Sequence, residues 1–217
     1  MRCSKDNLQL FQRNPQDFRR RFVTVDETWI HHYTPETKEQ SKQWVHSGES
    51  APKKAKTVPS AGKVMATVFS DSQQGIILIN YLEKGRTITG ASYSSLLDRL
   101  KTELQEKRPR LAHKKILFHH NAPAHTSRVV AAKLMEFGFQ LVPHPPYSPD
   151  LAPSDYHLFP SMKKWLAGRR FYSNEEVIAK TNAYFAEVCQ SYYSEGINKL
   201  EQHWTKCISL KGDYVEK

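Results

Sequence analysis

The spacing of apolar and polar positions divides the chain into short extended runs and longer helical ones. The first extended run is FVTVDETWIHHY, residues 22–33, rich in β-branched and aromatic side chains and read as a strand. Strand alternation puts Phe22, Thr24 and Asp26 on one face and Val23, Val25 and Glu27 on the other. A polar stretch, residues 34–61, follows, with Pro35, Pro52 and Pro59 and the basic Lys53, Lys54 and Lys56; a loop of that length without periodicity is usually functional or disordered. KVMATVFS (63–70) and GIILINYL (75–82), joined by Asp71–Gln74, predict a hairpin. From 92 to 108, Tyr93, Leu96, Leu97, Leu100 and Leu104 recur at helical spacing and Pro109 ends the run. KILFHH (115–120) predicts a short buried strand. Residues 126–137 predict a helix with Val130, Leu134 and Phe137 inward and Gly138 as its stop, and FQLVPH (139–144) a further strand. The loop PPYSPDLAPSD (145–155) leads into a helix over about 155–167. Ser173 and Glu176 make a capping-box pattern before a helix that turns Val177, Ile178, Thr181, Tyr184, Phe185 and Val188 inward. A last helix includes Ile197, Leu200 and Trp204.

Strands first, then alternating helices and strands, predict an α/β fold: an antiparallel hairpin followed by a parallel crossover portion. Pattern alone leaves several such architectures open. The 217 residues, 39% hydrophobic, suit one domain with a packed core. A net charge of +10 draws a protein to polyanions, nucleic acid before membrane. No apolar run reaches the length of a bilayer span, and the start, MRCSKDNLQLFQRN, is no signal peptide. Cys3, Cys189 and Cys207 are odd in number and far apart, so neither a disulfide framework nor a zinc centre follows, and a reducing compartment is the default.

Candidate chemistry lies in the acids. Hard divalent cations such as magnesium take oxygen ligands, so a site for them needs carboxylates on a rigid frame. An acid on a central strand, one at the end of a neighbouring strand and one at the start of a helix would supply them. Asp26 fits the first and Asp155 the third. The second should follow KILFHH, where this chain has His120 before Asn121.

The strings VTVDETWIHHYTPE, SAGKVMATVF, YLEKGRTI, LFHHNAPAH, HPPYSPDLAPSDYHLF and INKL, in that order, resemble mariner transposases of the Tc1/mariner superfamily, closest to the irritans-type group, from about residue 8 onward. The resemblance implies a ribonuclease-H-like domain: a mixed sheet of about five strands with helices on both faces. It also implies an acidic triad holding two Mg2+ ions, which Mn2+ can replace, for cutting DNA at transposon ends and joining the ends to TA targets. Catalytic and metal-binding positions fall on Asp26, His120 and Asp155. His120 lies 35 positions before Asp155, where the family has an aspartate. An imidazole suits magnesium poorly, so a degenerate, weakened copy is expected. The alternative is a catalytically inactive, non-specific DNA-binding module.

The same resemblance implies a nuclear protein, dimeric on DNA, with no membrane or small-molecule partner. Residues 1–20 are expected to be a remnant of an inter-domain linker and 21–217 the catalytic domain, with a clamp-like loop at about 34–61 and no helix-turn-helix domain in front. Asn121 and His125 are expected to brace the site loop, and Trp44 to contact the partner subunit. Lys53, Lys54, Lys56, Lys107, Arg108, Arg110, Lys114, Lys115, Lys163, Lys164, Arg169 and Arg170 are candidate DNA contacts. Asp150 reads as a turn residue after Pro149, Trp29, Trp165 and Trp204 as core or interface, and Asp155 as a possible cap of its own helix. The histidines lack zinc-site spacing.

Overall fold

A computed structural model describes residues 1–37, 39–41, 58–120 and 127–215. Its strands are β1 (Phe22–His31), β2 (Lys63–Asp71), β3 (Gly75–Tyr81), β4 (Leu117–His119) and β5 (Gln140–Val142). They form one mixed sheet in the order β3-β2-β1-β4-β5. β1 pairs antiparallel with β2, and β2 with β3. β4 runs parallel to both β1 and β5. The helices are α1 (Arg2–Arg13), α2 (Pro15–Arg21), α3 (Gly90–Lys107), α4 (Pro109–Ala112), α5 (Arg128–Glu136), α6 (Phe159–Leu166), α7 (Asn174–Glu187), α8 (Gln190–Asn198) and α9 (Leu200–Ser209). None of the described helices is long and apolar enough to cross a membrane.

Local chemistry sets the boundaries. Asp71 closes the hairpin: its Oδ1 accepts from the backbone N–H of Gln73 at 2.9 Å and of Gln74 at 2.6 Å, and Gly75 takes the positive φ that the turn needs. Gly138, with φ 69°, ends α5 as expected. Ser173 caps α7 by accepting from Glu176 N–H, but Glu176 Oε2 reaches back to Tyr172 N–H, one residue earlier than a capping box requires.

Both faces of the sheet are covered. Val23, Val25, Phe69, Ile77 and Phe118 pack beneath α3 and α5 through Tyr93, Leu97, Leu100, Leu104, Val130 and Leu134. On the other face, Ile30, Val64, Ala66 and Val68 meet Leu158, Phe159, Met162, Val177 and Phe185. Phe22, Leu117 and Val142 meet Phe11, Phe18, Ile197, Leu200 and Trp204 beside them. β1 is therefore central and buried on both sides, which explains its nearly continuous burial.

Residues 1–20 depart from the linker expectation. They form α1 and most of α2, and they are built into the domain. Phe18 stacks on Phe22 at 5.1 Å and meets Trp204 edge-on at 5.9 Å, while Phe11 lies 5.3 Å from Phe18. The buried stripe of α1 is Ser4, Asn7 and Phe11. Two of its three members are polar, so hydropathy alone hides it. Asn7 Nδ2 donates to Pro143 O at 2.7 Å and Ser4 Oγ to Cys207 Sγ at 3.3 Å, while Asn7 Oδ1 is buried with no hydrogen-bond partner among the described residues.

Two of the expected DNA-contact residues make bonds within the fold. Arg108 donates Nη1 to the buried Oδ2 of Asp71 and Nη2 to Arg20 O, tying α3 to the hairpin turn and to α2. Lys107 Nζ donates to Ile77 O at 2.6 Å and pairs with Glu103. Removing one partner of a buried ion pair strands the other charge and costs about 3 kcal/mol or more. Arg108→Ala should therefore lower the unfolding free energy in urea by about 3 kcal/mol, whereas the exposed Arg110→Ala should change it by less than about 0.5 kcal/mol.

Candidate active site

Asp26 lies in the middle of β1, opposite Val68 of β2. Its face of the strand runs Phe22, Thr24, Asp26, Thr28, Ile30: apolar at both ends, polar at the centre, and buried throughout. Asp155 comes to this centre from the opposite layer. After β5, the chain makes a tight turn at Pro149–Leu151 and then a wide π-helical turn at Ser154–Leu158 that opens α6. Such wide turns often accompany functional sites. Ala152 O accepts from the N–H groups of Asp155 (2.9 Å) and Tyr156 (3.1 Å). The turn is held from behind by α8: Tyr156 donates its hydroxyl to Gly196 O at 2.7 Å, and Tyr192 donates to His157 O at 2.8 Å.

The two carboxyl groups are near enough to hydrogen-bond. Asp26 is only 6% exposed. Burial, then the charge of Asp155 and the hydrogen bond with it, push the Asp26 carboxyl up to about 9. The backbone N–H of Glu27, which donates to Asp26 Oδ1 at 2.8 Å, opposes this only in part. At neutral pH the pair therefore retains a proton that an isolated pair would lose. Lys163, eight residues beyond Asp155, stands beside them; desolvation lowers its pKa, against the upward pull of Asp155 and Asp26. A cleft of about 320 Å3 opens here, lined by Glu27, Trp29, His31, Thr34, Asp155 and Lys163. A larger cleft, about 590 Å3, lies between β3 and α3. Its single acid, Glu83, is paired with Arg86, whereas the first cleft is lined by Glu27 and Asp155.

His120 directly follows β4. The parallel register pairs Thr24 with His119, and continuing it one step sets His120 beside Val25. Alternation turns His120 towards the side of Phe118, whose ring is 5.9 Å away, while His119 faces the Asp26 side. The structure thus joins Asp26 to Asp155, and among the described residues it assembles no group of three or more His, Cys, Asp or Glu side chains able to hold a metal. His119, which the sequence reading did not single out, accepts or donates at Nδ1 to Thr24 Oγ1 (3.2 Å) and at Nε2 to His144 Nδ1 (3.1 Å). Its position two residues from Asp26 in register was the available signal.

The remaining candidates divide by position. Asn121, His125, Trp44, Lys53, Lys54 and Lys56 lie outside the described residues. Arg110, Lys114 and Lys115 are exposed. Lys164 pairs with Glu39 at 3.2 Å, Arg169 lies over Trp165 at 3.8 Å and Arg170 over Tyr33 at 4.9 Å. Trp204 is core, but Trp29 is 41% exposed, with Lys63 over its ring at 4.1 Å. His31 and His32 are engaged by Ser60 O and Asn174 Oδ1, both at 2.8 Å.

Residues 34–114 match the family model described as Transposase (partial DDE domain). The chain is 40% identical over 204 residues to the Mariner Mos1 transposase of Drosophila mauritiana, an alignment covering 93% of this chain and 58% of that protein. The crystal structure of the catalytic domain of Mos1 mariner transposase superposes with a TM-score of 0.80 at 35% identity, covering 98% of this chain and 92% of that one. The chain belongs to the mariner transposases. It corresponds to their catalytic domain, and its five-stranded mixed sheet with helices is the ribonuclease-H-like fold of that mariner domain. The crystal structure of the Mos1 mariner paired end complex with Mn superposes with a TM-score of 0.87 at 38% identity, covering 98% of this chain and 61% of that one.

The electrostatics of this mariner site predict a pH signature. An aspartate whose folded pKa is raised costs nothing below its unfolded pKa near 4 and costs progressively more as pH rises towards the folded value. Without metal, Asp26→Asn should be more stable than the parent by about 2 kcal/mol at pH 8. In calorimetry the gap should shrink as pH falls towards 4; a gap unchanged over that range would show that the Asp26 carboxyl is not raised.

Proposed function

We propose that this domain cuts DNA at transposon ends in a divalent-metal-dependent reaction and transfers the freed 3′ ends to TA targets, with activity weakened by His120. The observation that carries this reading is the Asp26–Asp155 pair: a buried carboxyl and a partly exposed one within hydrogen-bond reach on a rigid sheet and helix, an arrangement that resists full ionisation until a cation replaces the retained proton. The donor set fits a hard ion in its two oxygen ligands. Asp26 and Asp155 would hold magnesium, or manganese in its place, with His120 as a neutral and weaker second-position donor. When bound, such ions activate the attacking oxygen and stabilise the leaving one.

The chain's own residues do the rest by positioning. The Glu27 N–H fixes one oxygen of Asp26 and so orients its carboxylate. The Lys163 ammonium, on the wall of the same cleft, is set to meet a phosphate oxygen. Arg110, Lys114 and Lys115 present exposed charge for the DNA backbone, and binding through such contacts weakens steeply with salt. Support for a nucleic-acid substrate comes from the Mos1 relatives, which were solved as paired-end and strand-transfer complexes. A dimer assembled on DNA and a nuclear location belong to the same proposal.

A second reading has one observation in its favour. His120 follows β4 where the family resemblance expects an acid, which would leave two carboxylates for two dications; the domain would then bind DNA without cutting it. One substitution separates the two. His120→Asp should raise magnesium-dependent nicking of supercoiled plasmid by at least about 100-fold, exceeding the 10–100-fold that loss of an outer-shell partner costs. The gain should be smaller with manganese and absent when Asp26→Asn is added. Equal inertness of parent and His120→Asp, with DNA binding intact in both, would decide for the binding module.

A further inference from the structure

Asp150 lies five residues before Asp155 and is 4% exposed, far more buried than a turn residue needs to be. Its Oδ2 accepts the backbone N–H of Val215 at 2.8 Å. Its Oδ1 is buried and has no hydrogen-bond partner among the described residues. Its carbonyl accepts from His203 Nδ1 of α9, and the His203 ring stacks on Tyr156 at 4.1 Å, so one side chain touches the residues on both sides of Asp155. The chain segment after α9 is brought back to this loop deliberately. Lys211 and Gly212 take positive φ, Gly212 N–H bonds to Cys207 O, and the chain reverses. Tyr214 then donates its hydroxyl to Tyr147 O at 2.9 Å, and Val215 sinks into the core beside Leu151 and Trp204. Lys206 Nζ holds the Val215 carbonyl.

A buried carboxylate whose hydrogen bond comes from a distant backbone N–H ties two segments together at high stakes, because losing the donor leaves the charge unsolvated. We propose that Asp150 and residues Tyr214–Val215 form a clip that positions the Asp155 loop, making Asp150 a positioning residue for the acid pair. The clip itself is a statement about loop order; its bearing on metal binding rests on the function proposed above.

The experiment compares the full chain with Asp150→Ala, Asp150→Asn, a form shortened after Asp213, and the shortened form carrying Asp150→Ala. Hydrogen exchange at the Asp155 and Tyr156 amides should accelerate about tenfold or more in Asp150→Ala and in the shortened form, while the β2–β3 hairpin amides stay as in the parent. The combined variant should exchange no faster than the quicker single one, because both changes open the same clip. Asp150→Asn keeps an acceptor for Val215 N–H and should stay near the parent. Should Asp150→Ala not fold, the shortened form and Asp150→Asn carry the test. Unchanged exchange at Asp155 in the shortened form, or acceleration spread equally over the hairpin, would overturn the clip. Mn2+ titration of the same proteins, with Asp155→Ala as control, should show affinity about tenfold lower in the clip-broken forms. Absence of Mn2+ binding in the parent would count against the metal site alone and leave the exchange result to judge the clip.

Discussion

Two carboxyl groups held against each other at a largely desolvated centre are the constraint around which this domain is organised. Burial, and then the nearness of Asp155, push the Asp26 carboxyl upward, so the pair keeps a proton that isolated acids would lose. They can be held there only because neither backbone has freedom to retreat. β1 is fixed by strands on both sides and helices on both faces. The Asp155 turn is fixed by the hydroxyls of Tyr156 and Tyr192 and by the stacked His203. The apolar clusters at the two ends of the Asp26 row anchor the strand, and the polar middle of that row is what they make affordable.

Much of this was legible in the sequence. Strands and helices with strong periodicity, such as α3 with its Tyr93–Leu104 stripe, were readable from spacing, and so were the hairpin at Asp71–Gly75 and the stop at Gly138. Asp26 and Asp155 were readable because an acid amid β-branched residues, and another just ahead of a helix, sit in strings specific to one family. What hid was whatever depends on contacts distant along the chain. α1 buries Ser4 and Asn7, polar residues that donate to Cys207 and Pro143. Arg108 looked like one of a basic cluster, yet its partner is Asp71. Asp150 looked like turn chemistry, and its partner lies 65 residues away. Charge density marks where cations are, not which of them face solvent.

His120 shows how a family position and a local geometry can pull apart. In the function proposed above its place is that of an acid, 35 residues before Asp155. Its ring shares a side with Phe118, whereas the neighbouring His119 turns to the Asp26 face and is locked between Thr24 and His144. A carboxylate at 120 would be drawn to a cation shared with the acid pair. An imidazole brings no negative charge to such a site.

The wide turn at Ser154–Leu158 has a geometric consequence for what overlooks the acids. In an unbroken α-helix, 3.6 residues per turn bring the residue seven places on back to the same azimuth. One π-type turn spends roughly one residue more, which shifts that alignment to the eighth. The seventh residue after Asp155 is Met162, wholly buried; the eighth is Lys163, which shares the acid-lined cleft. A single extra residue of winding therefore decides whether a thioether or an ammonium looks down on the carboxylates.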